Sequence, residues 1–182
     1  MARHIFLTGE KRIGKSALVK EVLNRYAGDA GGFFTVRTNE FLKGSYSVHM
    51  FNLNEAAIPS ENSLLFVCGK ANRHMSERFD RLGCEILSKC SDSSLIVMDE
   101  LGPHEAGAGS FREAVLRSLD GNIPILGVLQ APAELFWPDI VDHPMVEMIE
   151  ISKNNRDNED IIGQILSAIN SEGSVPLHIP HT

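Results

Sequence analysis

The sequence predicts an α/β fold in which a mostly parallel central sheet is covered by helices on both faces. Short apolar segments of strand length alternate with amphipathic segments of helix length along almost the whole chain. Two of the apolar segments, residues 95–98 and 124–129, contain no polar residue. Such runs are typical of parallel strands buried on both faces, and their connections are expected to be right-handed crossovers.

The individual elements follow from hydrophobic periodicity and from turn residues. A first strand is predicted at about 3–8 and a first helix at about 15–26. The middle of the chain predicts a β-hairpin insertion, with extended segments at 31–36 and 46–51 and a break at Lys43-Gly44-Ser45, followed by a short extended segment at 63–68. The second half predicts a helix at 75–89, a strand at 95–98, a helix at 111–119, a strand at 124–129, a short helix at 133–141, a strand at 146–151 and a closing helix at 157–169.

Length and composition predict one globular domain over residues 1–172 and a loose C-terminal tail at 173–182, where Gly, Ser and Pro are frequent. The 182 residues carry a net charge of −7, and their basic residues are mostly scattered, which argues against a broad nucleic-acid-binding surface. Neither a signal peptide nor a membrane-spanning apolar run is recognisable, so a cytoplasmic location without membrane contact is expected. The three cysteines lack a C-x-x-C pair and are expected to be buried apolar residues.

The clearest motif is a phosphate-binding loop between the first predicted strand and helix. Its pattern G-x-x-x-x-G-K-[ST] brings backbone N–H groups and a helix N-terminus to the α- and β-phosphates of a nucleotide. Lys15 is expected to reach the β- and γ-phosphate oxygens, and the hydroxyl of Ser16 is expected to bind Mg²⁺. The predicted nucleotide-binding residues here are Gly9, Glu10, Lys11, Arg12, Ile13, Gly14, Lys15, Ser16 and Ala17.

A second candidate site is the pair of acids Asp99 and Glu100, which follow the apolar run 95–98. A carboxylate at such a strand end holds Mg²⁺ in phosphate-loop proteins, which makes Asp99 a predicted metal ligand together with Ser16. Glu100 is the better candidate for a general base that activates the attacking water. The alternative is a solvated acidic strand end without a chemical role.

Two weaker signals flank these motifs. Asn155 and Arg156 follow the last predicted strand, where ligands of open α/β sheets bind, so Asn155 is a candidate nucleobase contact and Arg156 a candidate catalytic cation. The alternative is that Asn155 or Asp157 caps the closing helix. Thr35 and Arg37, after Gly31-Gly32-Phe33, either lie near the phosphates or substrate or belong to an ordinary turn and strand.

Taken together, these segments resemble a small nucleoside-triphosphatase family that includes the cancer-related human enzyme and thermophile relatives. The resemblance rests on the phosphate loop, on residues 31–37, on residues 96–102 with Glu105, on Phe111 with Ala114-Val115 and on Asn155-Arg156-Asp157. It implies a three-layer P-loop NTPase fold of the additional-strand, RecA/ASCE-like type, and Mg²⁺-dependent hydrolysis of ATP, GTP and other nucleoside triphosphates to diphosphates. By this likeness residues 9–16 bind phosphate, Asp99 supports Mg²⁺ and Glu100 activates water.

The sequence departs from the family pattern at two places. Arg12 stands where the family usually has Gly, and Gly102-Pro103-His104-Glu105 stands where it usually has Gly-Lys-Met-Glu. One basic residue is therefore lost and another gained. Our hypothesis is that Arg12 partly replaces the missing Lys, because a guanidinium near phosphates donates two hydrogen bonds to their oxygens.

Two other functions use the same loop. A nucleotide or nucleoside kinase needs an acceptor pocket and usually a basic lid, for which the candidates are Lys70, Arg73, Arg78 and Arg81, although these more simply form a solvated helix face. A nucleotide-dependent switch is the non-enzymatic alternative, because residues 99–102 fit the D-x-x-G pattern of regulatory GTPases. The guanine-reading N-K-x-D motif of those proteins is absent from the sequence.

Overall fold

The computed structural model describes residues 4–156 and 158–170, so the predicted tail at 173–182 lies outside it. Within these residues the strands are β1 (His4–Thr8), β2 (Ala30–Leu42), β3 (Ser45–Asn52), β4 (Leu64–Val67), β5 (Leu95–Leu101), β6 (Ile125–Leu129) and β7 (Val146–Glu150). The helices are α1 (Lys15–Arg25), α2 (Met75–Ser88), α3 (Gly109–Leu119), α4 (Ala133–Phe136), α5 (Pro138–Val141) and α6 (Glu159–Asn170), and a 3₁₀ turn spans Pro103–Gly107.

These strands form one sheet in the order β4-β3-β2-β5-β6-β1-β7. Strand β3 is antiparallel to β2 and β4, whereas the pairs β2–β5, β5–β6, β6–β1 and β1–β7 are parallel. Because β6 lies between β1 and β5, the sheet has the additional strand that the resemblance implies. The predicted fold class is confirmed, and the predicted hairpin is the β2–β3 pair that widens the sheet.

Residues on alternate sides of each strand build two apolar cores, one on each face of the sheet. In β1, Ile5 and Leu7 pack with α1 and α6, whereas Phe6 packs on the opposite face with residues of α2 and α3. The helices therefore cover both faces and complete three layers. This arrangement leaves the carboxyl ends of β1, β5 and β6 together at one edge of the sheet, directly next to the phosphate loop.

Several predicted bounds were wrong for identifiable reasons. The helix predicted at 133–141 is two short helices, because Trp137 precedes a proline and adopts φ −135° and ψ 57°, outside the helical region. Strand β5 continues through Asp99 and Glu100 to Leu101, since it keeps pairing with β6. Strand β2 is longer than the predicted segment 31–36 because its outer half pairs with β3.

None of the helices in residues 4–156 and 158–170 is both long and apolar enough to cross a membrane. All three cysteines are free; Cys90 is buried as expected, but Cys68 and Cys84 are only half-buried, so that prediction was wrong for two of the three.

Candidate active site

The phosphate loop connects β1 to α1, and its conformation depends on glycine at both ends. Gly9 has φ 129°, and a Cβ atom there would lie 2.3 Å from the carbonyl oxygen of Ile151, so that no side chain fits. Gly14 has φ 115° and immediately precedes α1. Both positions favour glycine on conformational grounds alone. The N-terminus of α1 therefore opens into the loop, as anion binding requires.

Lys15 holds the loop together from inside. Its Nζ atom donates hydrogen bonds to the carbonyl oxygens of Gly9 and Glu10, each at 2.8 Å. The side chain is buried, and burial lowers the pKa of its ammonium group, against the opposing influence of the Glu100 and Asp99 charges. The ammonium group thus lies at the centre of the loop, where the motif expects it to meet phosphate oxygens.

Ser16 and Asp99 join the phosphate loop to the acidic strand. The Ser16 hydroxyl donates a hydrogen bond to Oδ1 of Asp99 at 2.9 Å, although the two residues are 83 positions apart in the chain. Asp99 is only 7% exposed, and burial raises its pKa to about 6, while the bond from Ser16 acts in the opposite direction. The two residues predicted as metal ligands are therefore adjacent in space.

The donor set fits Mg²⁺. A hydroxyl and a carboxylate are hard oxygen ligands, and Mg²⁺ usually takes one or two carboxylates together with water and substrate phosphates rather than a cage built by the protein alone. The described part of the chain contains no cluster of three or more His, Cys, Asp or Glu side chains able to hold a metal. A buried carboxylate with a raised pKa is also a group that a cation stabilises in its ionised form.

Glu100 is half-buried and held by a residue that the sequence analysis missed. Nε2 of Gln130 donates a hydrogen bond to Oε1 of Glu100 at 2.6 Å. Gln130 directly follows β6, and its backbone N–H donates to the carbonyl oxygen of Leu101 at 2.9 Å, so that its own position is fixed by the sheet. The available sequence signal was a polar residue immediately after the apolar run 124–129.

The segment in which this chain departs from the family pattern forms the 3₁₀ turn after β5. Buried Glu105 accepts a hydrogen bond from the backbone N–H of Gly102 at 3.0 Å, and burial raises the pKa of its carboxyl to about 7. The indole N–H of Trp137 donates to the carbonyl oxygen of Gly102 at 3.0 Å. His104 is exposed, and its ring centroid lies 4.3 Å from that of Phe66. The turn is therefore fixed at its start, with Pro103 at the position of the usual Lys and the exposed imidazole of His104 at the position of the usual Met.

Arg12 lies between two cavities next to the loop. It is exposed and has φ 62°, which makes it the one non-glycine residue with positive φ in the described ranges. The first cavity has a volume of about 750 Å³ and is lined by Arg12, Ser16, Asp99 and Glu100 among others. The second, of about 420 Å³, lies between α1 and α6 and also borders Arg12. The backbone conformation explains why glycine is usual at this position.

The loop after β7 lies against the phosphate loop. Cδ of Arg156 lies 3.7 Å from the position that a Cβ on Gly14 would take, and Arg156 lines the second cavity. The side chain of Asn155 is occupied within its own loop: its Oδ1 accepts from the N–H of Ser152 at 2.7 Å and its Nδ2 donates to the carbonyl oxygen of Glu150 at 2.8 Å. A nucleobase contact by Asn155 remains a prediction.

The alternative role of this segment, capping of the closing helix, belongs to another residue. Asn158 directly precedes α6, and Asp160 lies in the first turn of that helix. Oδ1 of Asn158 accepts a hydrogen bond from the backbone N–H of Asp160 at 2.9 Å. Capping by Asn155 was therefore a wrong prediction, because its amide is used inside the loop. Asp157, the other candidate cap, lies outside the described residues.

The chain is similar to known proteins over most of its length. A family model described as NTPase matches residues 4–166, which is most of the chain. This chain belongs to the NTPase family. Both the phosphate loop and the acidic strand of this NTPase-family chain lie within the match, and the resemblance inferred from the motifs is confirmed.

Relatives of this NTPase-family chain are similar over nearly their whole length. Nucleoside-triphosphatase THEP1 of Thermotoga maritima is 26% identical over 169 residues, which cover 91% of this chain and 94% of the relative. Nucleoside-triphosphatase THEP1 of Methanosarcina acetivorans is 28% identical over 167 residues, covering 84% and 90%. The crystal structure of THEP1 from Aquifex aeolicus matches with a TM-score of 0.67 and 23% identity over 91% of this chain and 98% of the other. The structural match supports the fold.

Proposed function

We propose that this chain is a Mg²⁺-dependent nucleoside-triphosphatase that hydrolyses the γ-phosphate of nucleoside triphosphates such as ATP and GTP. The observation that carries the proposal is the 2.9 Å hydrogen bond between Ser16 and Asp99, which brings the phosphate loop and the acidic strand into one site. The name nucleoside-triphosphatase, carried by relatives that align over most of their length, supports the same activity.

Triphosphate binding is assigned to the loop between Gly9 and Ala17. Its backbone N–H groups and the N-terminus of α1 supply donors and a favourable dipole for the phosphates. Lys15, now hydrogen-bonded to two loop carbonyl oxygens, is available to exchange those partners for β- and γ-phosphate oxygens. Ser16 and Asp99 would hold Mg²⁺, which when bound neutralises negative charge on the phosphate oxygens.

Glu100 is assigned as the general base. It accepts a proton from water while the water oxygen forms a bond to the γ-phosphorus, and the bond from that phosphorus to the bridging oxygen breaks to release the diphosphate. Gln130 donates a hydrogen bond to one oxygen of the Glu100 carboxylate, and this bond fixes the direction in which the second carboxylate oxygen points. Positioning of this kind supplies much of the catalysis in phosphoryl transfer.

We assign the ribose and nucleobase to the 420 Å³ cavity between α1 and α6. Arg12 and Arg156 border it and can neutralise phosphate charge from either side, with Arg156 as the candidate catalytic cation. Ile13 and Ile162 supply apolar walls, which contact any base without distinguishing its polar edge. A cavity with these walls fits a triphosphatase that accepts several bases. The three cysteines of the chain are free thiols, which fits a protein that works in the reducing cytoplasm.

The test is phosphate release from ATP, GTP, CTP and UTP, each measured with Mg²⁺ and with excess EDTA. We expect equal amounts of diphosphate and phosphate from at least two of the four, and no release when the metal is chelated. Absence of phosphate release from all four nucleotides in the presence of Mg²⁺ contradicts the proposal.

A further inference from the structure

The cavity beside Glu100 is larger than hydrolysis requires. Its volume is about 750 Å³, whereas a water molecule occupies about 30 Å³. Pockets for complete small molecules span roughly 300–1,000 Å³. A terminal phosphate and an attacking water therefore fill only part of the space, and a second small molecule fits beside them.

The lining of this cavity changes in character along the sheet. Next to the phosphate loop it is polar, with Ser16, Asp99 and Glu100. On the far side it is formed by Phe66 of β4 and Phe79 of α2. The strand order puts β4 three positions from β5, which corresponds to about 14 Å at the usual strand spacing. The cavity thus extends from Glu100, the proposed general base, to an apolar wall well beyond the reach of a γ-phosphate.

The β2–β3 hairpin forms the side of the cavity between these ends. Thr35, Arg37 and Val48 line it, and the pairing of Arg37 with Val48 and of Val48 with Phe66 puts these side chains on one face of the sheet. The Arg37 guanidinium lies 3.9 Å from the ring centroid of Tyr46, a contact that orients its planar fork of donors.

These groups suit a planar, neutral molecule that carries a hydroxyl group. Phe66 and Val48 offer apolar surface for a ring, and Arg37 and Thr35 offer donors for ring carbonyl or nitrogen atoms. The charged side chains of the lining balance one another, because three are acidic and three are basic, so the cavity has no excess charge that would call for a charged second molecule. They are Asp99, Glu100, Glu105, Lys11, Arg12 and Arg37. None of the apolar or hairpin groups is of use to a water nucleophile.

We propose that this cavity binds a nucleoside and that the protein transfers the γ-phosphoryl group to its hydroxyl as a second activity. The hydroxyl oxygen forms a bond to the γ-phosphorus, the bond to the β–γ bridging oxygen breaks, and Glu100 takes the hydroxyl proton. The products are a nucleoside monophosphate and a nucleoside diphosphate. This inference rests on the triphosphate site of the proposed function and adds the acceptor.

The test uses the full chain with Mg²⁺, γ-³²P-labelled ATP and each of the common ribonucleosides and deoxyribonucleosides in turn. We expect at least one nucleoside to become labelled, with diphosphate exceeding free phosphate by the amount of labelled product. If phosphate release is normal but no nucleoside is labelled and diphosphate equals phosphate throughout, the acceptor site is refuted while hydrolysis stands. If neither phosphate nor labelled nucleoside forms, the proposed function itself fails.

Two variants locate the acceptor. Val48→Phe narrows the cavity and should lower the ratio of transfer to hydrolysis by about tenfold or more, the scale of an overpacked contact. Val36→Phe is the matched control, because Val36 is also half-buried but points to the opposite face of the same hairpin. Thermal melting checks that both valine variants fold. If either does not, Arg37→Ala serves as the cavity variant and Arg73→Ala as its control. An unchanged ratio in the folded cavity variants overturns the assignment.

Discussion

Replacing Arg12 by glycine tests two independent features of the site in one protein. Arg12 has φ 62°, a left-handed conformation, and borders both cavities next to the phosphate loop. Glycine removes the conformational cost and the charge together. We therefore expect Arg12→Gly to make the folded protein more stable and its nucleotide complex weaker, two effects of opposite sign.

The magnitudes follow from the conformation and the exposure of the side chain. The left-handed region costs a non-glycine residue about 1–2 kcal/mol, and the greater freedom of glycine in the unfolded chain returns about 0.5–1 kcal/mol of this. The mid-range values leave a net gain of ~0.7 kcal/mol, which corresponds to an increase in Tm of about 1–3 °C for a chain of this length. Loss of a charge-assisted hydrogen bond costs about 1.5–3 kcal/mol, and for exposed Arg12 the lower end predicts about tenfold weaker binding.

Thermal melting without nucleotide and calorimetric titration with Mg²⁺ and a non-hydrolysable triphosphate measure the two effects. Arg12→Ala is the control, because it removes the charge but keeps the unfavourable φ; it should bind as weakly as the glycine variant without its gain in Tm. Unchanged affinity and turnover in Arg12→Gly would refute the proposed contact of Arg12 with phosphates. A lower Tm would refute the conformational argument.

Three further predictions concern the phosphate loop, the residue that positions the general base Glu100, and the turn after β5. Lys15→Ala should weaken triphosphate binding in calorimetry, because we assign the buried ammonium group to the β- and γ-phosphates; parental affinity would contradict this. Gln130→Ala should lower turnover by about tenfold, the scale of one hydrogen bond to a charged group, with little change in nucleotide affinity; equal turnover would show that Gln130 does not position Glu100. Burial raises the pKa of Glu105 from 4.5 to about 7, so the unfolded chain releases its proton first and stability falls as pH rises through that interval. Glu105→Gln should therefore be more stable by about 3 kcal/mol above pH 7 and nearly unchanged near pH 4, as measured by urea unfolding at both pH values.

The sequence was sufficient for the parts of the site that depend on local pattern. The phosphate loop, the order of strands and helices and the apolar strand before Asp99 all have signatures that arise within a few consecutive residues. The family resemblance came from the same segments and was confirmed by the match over residues 4–166.

Features that depend on contacts between distant segments could not be predicted. The hydrogen bond from Gln130 to Glu100 joins residues 30 positions apart, and the wall formed by Val48 and Phe66 exists only because β3 and β4 extend the sheet beyond β2. The side-chain contacts of Asn155 likewise depend on how its loop folds back on β7. The local sequence pattern shows a polar residue after the last strand, but it does not show that the Asn155 amide is hydrogen-bonded to the backbone of its own loop and of β7.

The central claim is that Glu100 activates the nucleophile while the loop, Ser16 and Asp99 bind the metal nucleotide. Single-turnover hydrolysis by Glu100→Gln, with nucleotide affinity measured on the same protein, tests it most directly. We predict affinity close to that of the parent and a rate lower by about 10²-fold or more, the scale of losing a general base. Hydrolysis at the parental rate would contradict the account.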